Sequence, residues 1–149
     1  MVTDPSAPSL DDVLEAYAAT DVDVWFPTRT RVAGSAARRD LPTRVVVITA
    51  WNPKSRPTDE ATNRQANADL AAVLLAMGAT VLPARGTAAD GGWSEDSFAV
   101  PLDGGRPSLH TLLAVGRAFG QHAVYVIDDD HLDIVACAGG SSHRLPRVR

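Results

Sequence analysis

Apolar residues along the chain fall into runs that switch between two periods, and each switch marks an element. From Ser9, a good N-cap, Leu10, Val13, Leu14 and Tyr17 recur at helical spacing, with Asp11 and Asp12 in the first turn. Val22, Val24 and Phe26 then alternate, as Arg29 and Arg31 do with Thr30 and Val32, so a loose two-stranded hairpin is expected around Pro27 and Thr28. Residues 34–42 read as a loop. The clearest strand is 44–50 (RVVVITA). Its Val45, Val46, Val47 and Ile48 do not alternate, so both faces are buried and the strand is central.

Two prolines, Pro53 and Pro57, end that strand in a loop. Thr58 can cap a long helix that runs to about Met77, with Asp59 and Glu60 at its start and Gly78 behind it. Its inward stripe is Ala66, Leu70, Val73, Leu74 and Met77, and one turn back it reaches Asn63. A strand from Thr80, a glycine-rich loop over 86–92 and a strand over 94–100 follow. Ser108 caps a second helix, with Leu109, Leu112, Leu113, Gly116 and Phe119 inward and Gly120 closing it. Residues 123–127 and 132–136 form a final hairpin around Asp128, Asp129 and Asp130.

From Arg44 the order is β-α-β-β-α-β with one strand added. This predicts an α+β fold with a ferredoxin-like split βαβ core, its helices on one face of a mainly antiparallel sheet. The N-terminal hairpin and the last strand would extend or cover its edges. One domain over 9–138 is expected, between a disordered Pro- and Ser-rich segment 1–8 and a flexible basic tail 139–149.

That topology brings scattered polar residues to one end of the sheet. The first core strand ends there at Asn52, and the long helix starts there near Asn63 and Arg64. The strand after the glycine-rich loop begins there with Trp93, Glu95 and Ser97, and the second helix ends there at Gln121 and His122. Lys54 and Ser55 lie in the adjoining loop. Two readings follow. In one, Asn52, Lys54, Ser55, Asn63, Arg64, Trp93, Ser97 and Gln121 line a pocket for a small polar or phosphorylated metabolite or nucleotide. Glu95, beside Trp93, is its catalytic acid or base, and Lys54, Arg56 and Arg64 suit a phosphate or carboxylate. In the other, Asn63, Glu95 and Gln121 pin loops to the backbone, as most buried polar side chains do.

Composition narrows the field. The chain has 149 residues, 45% hydrophobic and 21% charged, which suits one domain. A net charge of −4 argues against general polyanion binding. The single cysteine, Cys137, allows no internal disulfide and no cysteine cluster for zinc, and reads as a small buried hydrophobe. The N-terminus MVTDPSAPSL lacks the features of a signal peptide, and no apolar run reaches the length of a membrane span, so a cytoplasmic protein without membrane contact is expected. Asp128, Asp129, Asp130, His131 and Asp133 do not have EF-hand spacing and read as a solvated turn, so neither metal nor cofactor is expected. Arg29, Arg31, Arg38, Arg39 and Arg44 form a basic stretch that would serve a nucleic-acid accessory role, against an ordinary charged surface as the plainer reading. A protein-interaction module using an edge strand or Trp25, Phe26 and Trp51 is a further alternative.

Three strings carry a family likeness: residues 49–55 (TAWNPKS) followed by Asn63 and Arg64, residues 93–98 (WSEDSF), and residues 119–123 (FGQHA). With Tyr17 and Thr20 they resemble the family called domain of unknown function 3293, over roughly residues 10–136. That pattern has Asn-Ala where this chain has His122-Ala123, which leaves Gln121 the better shared candidate. The resemblance implies a small bacterial protein with no established activity, and it brings no catalytic role with it.

Overall fold

The structure, a computed structural model, describes residues 18–26, 28–33, 43–53, 56–88, 90–102, 106–138 and 142–146. The segment 1–8, the helix expected from Ser9, and the loop over 34–42 lie outside the described residues. Eight strands are present: β1 (Thr20–Phe26), β2 (Thr28–Ala33), β3 (Val45–Ile48), β4 (Leu82–Ala88), β5 (Ser94–Pro101), β6 (Ala123–Ile127), β7 (His131–Ala136) and β8 (Ser142–Pro146). Helix α1 (Glu60–Ala76) joins β3 to β4, and α2 (Leu109–Ala118) joins β5 to β6.

The strands form one sheet in the order β2-β1-β4-β5-β3-β6-β7-β8, and every neighbouring pair is antiparallel. This corrects the expected architecture. The elements follow one another as the pattern predicts, but they do not build a ferredoxin-like core with accessory edges. They build a single eight-stranded antiparallel sheet curled into a half-barrel. The hairpin and the terminal strands are full members of it. The register of the β1–β2 pairing shifts between Val22 and Asp23. β8 pairs with β7 from Val135↔Ser142 to His131↔Pro146, within the stretch read as a flexible tail.

A curled sheet has two cores, and the alternation of each central strand divides its side chains between them. Val45 and Val47 of β3, and Ala123, Tyr125 and Ile127 of β6, join Val22, Val24, Val32, Ala84, Ala99, Leu132 and Ile134 in a cluster that contains no residue of α1 or α2. Val46 and Ile48, with Val124 and Val126, face the other way. They meet Leu70 and Leu74 of α1 and Leu112 and Val115 of α2. Burial of each such leucine or isoleucine stabilises the fold by about 1.5–3 kcal/mol. β3 lies between β5 and β6, which is why its valine run shows no polar face.

The helix ends follow local chemistry. Asp59, not Thr58, caps α1: its Oδ2 accepts the Thr62 N–H at 3.0 Å. Thr58 is engaged elsewhere, its N–H donating to Asn52 and its hydroxyl to the Arg56 carbonyl, so the helix starts one residue later than expected. At the far end of α2, Gly120 has φ +76° and the Gln121 N–H reaches back to the Gly116 carbonyl at 2.9 Å. This left-handed closure sets Gln121 at the end of the sheet where α1 begins.

Candidate functional site

Four of the expected residues meet where β3 and β5 part. The ladder between them stops at Ile48↔Phe98, and side chains take over the next backbone groups. The Thr49 hydroxyl and the Asn67 amide both donate to the Asp96 carbonyl, at 2.7 and 2.8 Å, and Asn67 Oδ1 accepts the Ala50 N–H at 2.8 Å. One turn earlier on α1, Asn63 Oδ1 accepts the Asn52 N–H at 2.8 Å, and its Nδ2 donates to Asn52 Oδ1 and to the Thr58 carbonyl at 2.9 and 3.0 Å. The inward stripe of α1 is therefore two asparagines followed by Leu70 and Leu74, all buried.

Asn52 is the one non-glycine among the described residues with a left-handed backbone, φ +47°. Asparagine tolerates that region better than most residues, and here both its backbone and its side chain are tied to α1. Its Oδ1 accepts from Asn63 and from the Thr58 N–H. The side-chain amide nitrogen then serves Glu95, whose carboxyl hydrogen-bonds the Asn52 side chain. Burial pushes the Glu95 carboxyl up to about 7, and the Asn52 bond opposes that rise without cancelling it. Glu95 is half-buried, so solvent still reaches it.

Several elements meet around Glu95 and its Asn52 partner. Gly86 of β4 stands directly opposite it. The Trp93 ring lies over Gly86, 4.0 Å from where a β-carbon would sit, and the tryptophan is 42% exposed. Ser97, two residues along β5, is buried and its hydroxyl lies 3.5 Å from the Glu95 carbonyl. Just past α2, Gln121 Nε2 donates to the carbonyls of Trp51 and Phe119, at 3.2 and 3.5 Å. Residues 51 and 52 thus connect Gln121, Asn63 and Glu95.

Asn52, Asn63, Glu95 and Gln121 are joined in this way, with Trp93 and Ser97 beside them. Arg64 is not among them: it is exposed and its guanidinium pairs with Glu60 at 2.6 Å, one helical turn away. Lys54 and Ser55 lie outside the described residues. Gly86 belongs to β4 and not to the loop expected to begin there. Thr49, Thr58 and Asn67 hold the site together but were not among the expected residues. Asn67 was accessible as the next inward position after Asn63, four residues on.

The other candidates resolve into local structure. Asp23 of β1 is 1% exposed and lies between Arg29 and Arg31 of β2, at 2.7 Å from each. Burial alone would raise its pKa, but the bonds from Arg31 and Arg29 outweigh it and hold the carboxyl below its ordinary value. These two guanidinium groups are engaged within the hairpin, which weakens the arginine-hairpin case for nucleic acid. Asp128 Oδ1 accepts the N–H groups of Asp130 and His131 and closes the β6–β7 turn. Cys137 is buried, and burial pushes its thiol up to about 11, far from a reactive thiolate. His122 Nε2 is buried without a hydrogen-bond partner. Among the described residues, no helix is long and apolar enough to cross a membrane.

Residues 48–124 match the model of the family described as protein of unknown function (DUF3293), and the chain belongs to that family. The match begins at the end of β3 and ends in β6, so it encloses the whole Asn52–Glu95–Gln121 arrangement. No curated protein and no solved structure matches the chain.

Proposed function

We propose that this DUF3293 protein binds a small polar ligand at the end of the sheet formed by Asn52, Trp93, Glu95 and Gln121, with Glu95 as the acid or base of any chemistry done there. One observation carries the reading. A carboxyl in contact with solvent sits in surroundings that push it up to about 7, and its partner is a left-handed asparagine held by α1. A desolvated carboxyl destabilises the folded chain once it ionises, and groups of that kind concentrate where proton transfer or ligand binding uses them. A purely structural role is already filled by Asn63 and Asn67, whose amides carry the loop and the strand end. The phosphate-binding version of the reading has less support, because Arg64 is paired with Glu60.

The experiment is a thermal-shift screen of polar metabolites against the wild-type protein and Glu95→Gln. The expected outcome is at least one compound that raises Tm of the wild type and leaves Glu95→Gln unmoved. The reading fails if Glu95→Gln is less stable than wild type at both pH 5 and pH 8, which would make the carboxyl a structural pin.

A further inference from the structure

Among the described residues, Glu95 and Gln121 leave acceptors open at this site. Asn63 has both ends of its amide engaged. Asn52 Oδ1 takes two donors and its amide nitrogen faces Glu95. Gln121 commits its nitrogen to two carbonyls, which leaves Oε1. Glu95 itself keeps the rest of its carboxyl. Two of the described cations are engaged elsewhere, Arg64 with Glu60 and Arg85 with Asp96. Beside the carboxyl lies Trp93, which is 42% exposed and has one ring carbon 4.0 Å from where a β-carbon on Gly86 would sit. A carboxylate next to an exposed tryptophan favours a planar cation, which gains both an ion pair and contact with the electron-rich face of an indole.

We infer that the group recognised at this end of the sheet is a planar, positively charged hydrogen-bond donor, such as an amidine, a guanidine or a protonated aminoheterocycle, and not a phosphate or carboxylate. This rests on the binding reading above and states its charge and shape.

The test uses three probes of one shape: benzamidine, benzamide and benzoate, with inorganic phosphate as a fourth, each titrated at pH 8 while backbone amide shifts are followed by NMR. Benzamidine is expected to saturate and to move the resonances of Trp93, Glu95 and Gln121. Benzamide should bind at least tenfold more weakly, and benzoate and phosphate should leave those resonances still. Glu95→Gln should weaken benzamidine at least tenfold. Trp93→Leu, at an exposed position, should weaken it several-fold. If benzoate or phosphate moves the same resonances as strongly, the charge assignment is wrong while the site stands. If benzamidine binds equally well to Glu95→Gln, it binds elsewhere and the inference falls. If no probe moves those residues, the inference falls, while the binding reading stands or falls on the thermal-shift screen.

Discussion

Asn52 and Glu95 hold each other across the gap where β3 and β5 separate. The asparagine reaches the carboxyl with the amide nitrogen left over after Asn63 and Thr58 have taken its oxygen. The two residues lie 43 positions apart, as their numbers give (95 minus 52), and neither is placed by apolar packing of its own. Asn63 sets the geometry, and it can do so because it occupies an inward helical position that a leucine would otherwise fill.

Glu95 should make stability depend on pH in one direction. Folding raises its carboxyl from 4.5 to about 7, so the folded chain holds this proton more tightly than the unfolded chain. That contribution is complete below pH 4.5 and is lost as pH climbs to about 7. Each unit is worth about 1.4 kcal/mol, and solvent at the rim reduces the total to about 2 kcal/mol. Glu95→Gln keeps an acceptor for Asn52 and cannot ionise. Urea unfolding should show the two proteins nearly equal at pH 4 and the variant more stable by about 2 kcal/mol at pH 8. Equal midpoints at pH 8 would mean that the carboxyl is better solvated than its position implies.

Asn63→Leu extends the leucine stripe of α1 and should still destabilise. The substitution leaves the Asn52 N–H, Asn52 Oδ1 and the Thr58 carbonyl without the partner they have now. Stranding half-buried polar groups costs about 1–3 kcal/mol, more than the added apolar contact returns at a helix end. The expected loss in urea is about 2 kcal/mol, and the amide of Asn52 should exchange with solvent faster than in wild type. A variant as stable as wild type would show that the loop holds its shape without α1.

The end of the sheet was legible from the chain, and the shape of the sheet was not. Chain direction alone placed Asn52, Asn63, Glu95 and Gln121 together, because strand and helix boundaries were marked by Pro53, Gly78, Ser108 and Gly120. The half-barrel was hidden because it depends on strand pairing across the whole sheet, which leaves no local period. The β1–β4 pairing joins residues far apart in the chain, from Thr20↔Ala88 to Val24↔Ala84, and no alternation pattern specifies which strand lies next to which. Asn67 escaped notice because helical periodicity is read from apolar residues, and the inward stripe of α1 is polar in its first half.

Asp23 should contribute to stability in the opposite sense to Glu95. Its carboxyl is held below the ordinary value of 3.8, so its stabilising effect is present above that pH and disappears as pH falls through the folded value. Asp23→Asn leaves Arg29 and Arg31 without their shared partner. Arg29 can turn to solvent, so the expected loss at pH 7 is about 2 kcal/mol, less than for a fully enclosed pair. Acid titration of circular dichroism should show wild type losing this advantage below pH 3.8, so that the difference between the two proteins narrows over that interval. A variant that matches wild type at pH 7 would mean that the arginines supply nothing beyond repacking.

Gly116 and Cys137 offer a prediction that separates packing from helix propensity. A β-carbon at Gly116 would sit 2.8 Å from Cys137 Sγ, with Val124 and Ile48 carbons at 3.4 and 3.7 Å. Alanine is favoured over glycine inside a helix by about 1 kcal/mol, so propensity alone predicts a gain from Gly116→Ala. The contact with sulfur is too short for that gain to appear, because overpacking a filled core costs about 1–3 kcal/mol. Gly116→Ala should therefore be destabilised by about 1 kcal/mol. Cys137→Ala alone should lose stability too, since it removes a buried side chain. Combined, the two substitutions should be more stable than the sum of their single effects by at least 1 kcal/mol, because removing Sγ leaves the new methyl in ordinary contact with Val124 and Ile48. The measurement is a double-mutant cycle in urea. Additive effects would show that α2 shifts away from β6 to admit the methyl group, and that the close approach of helix to sheet is not what this glycine secures.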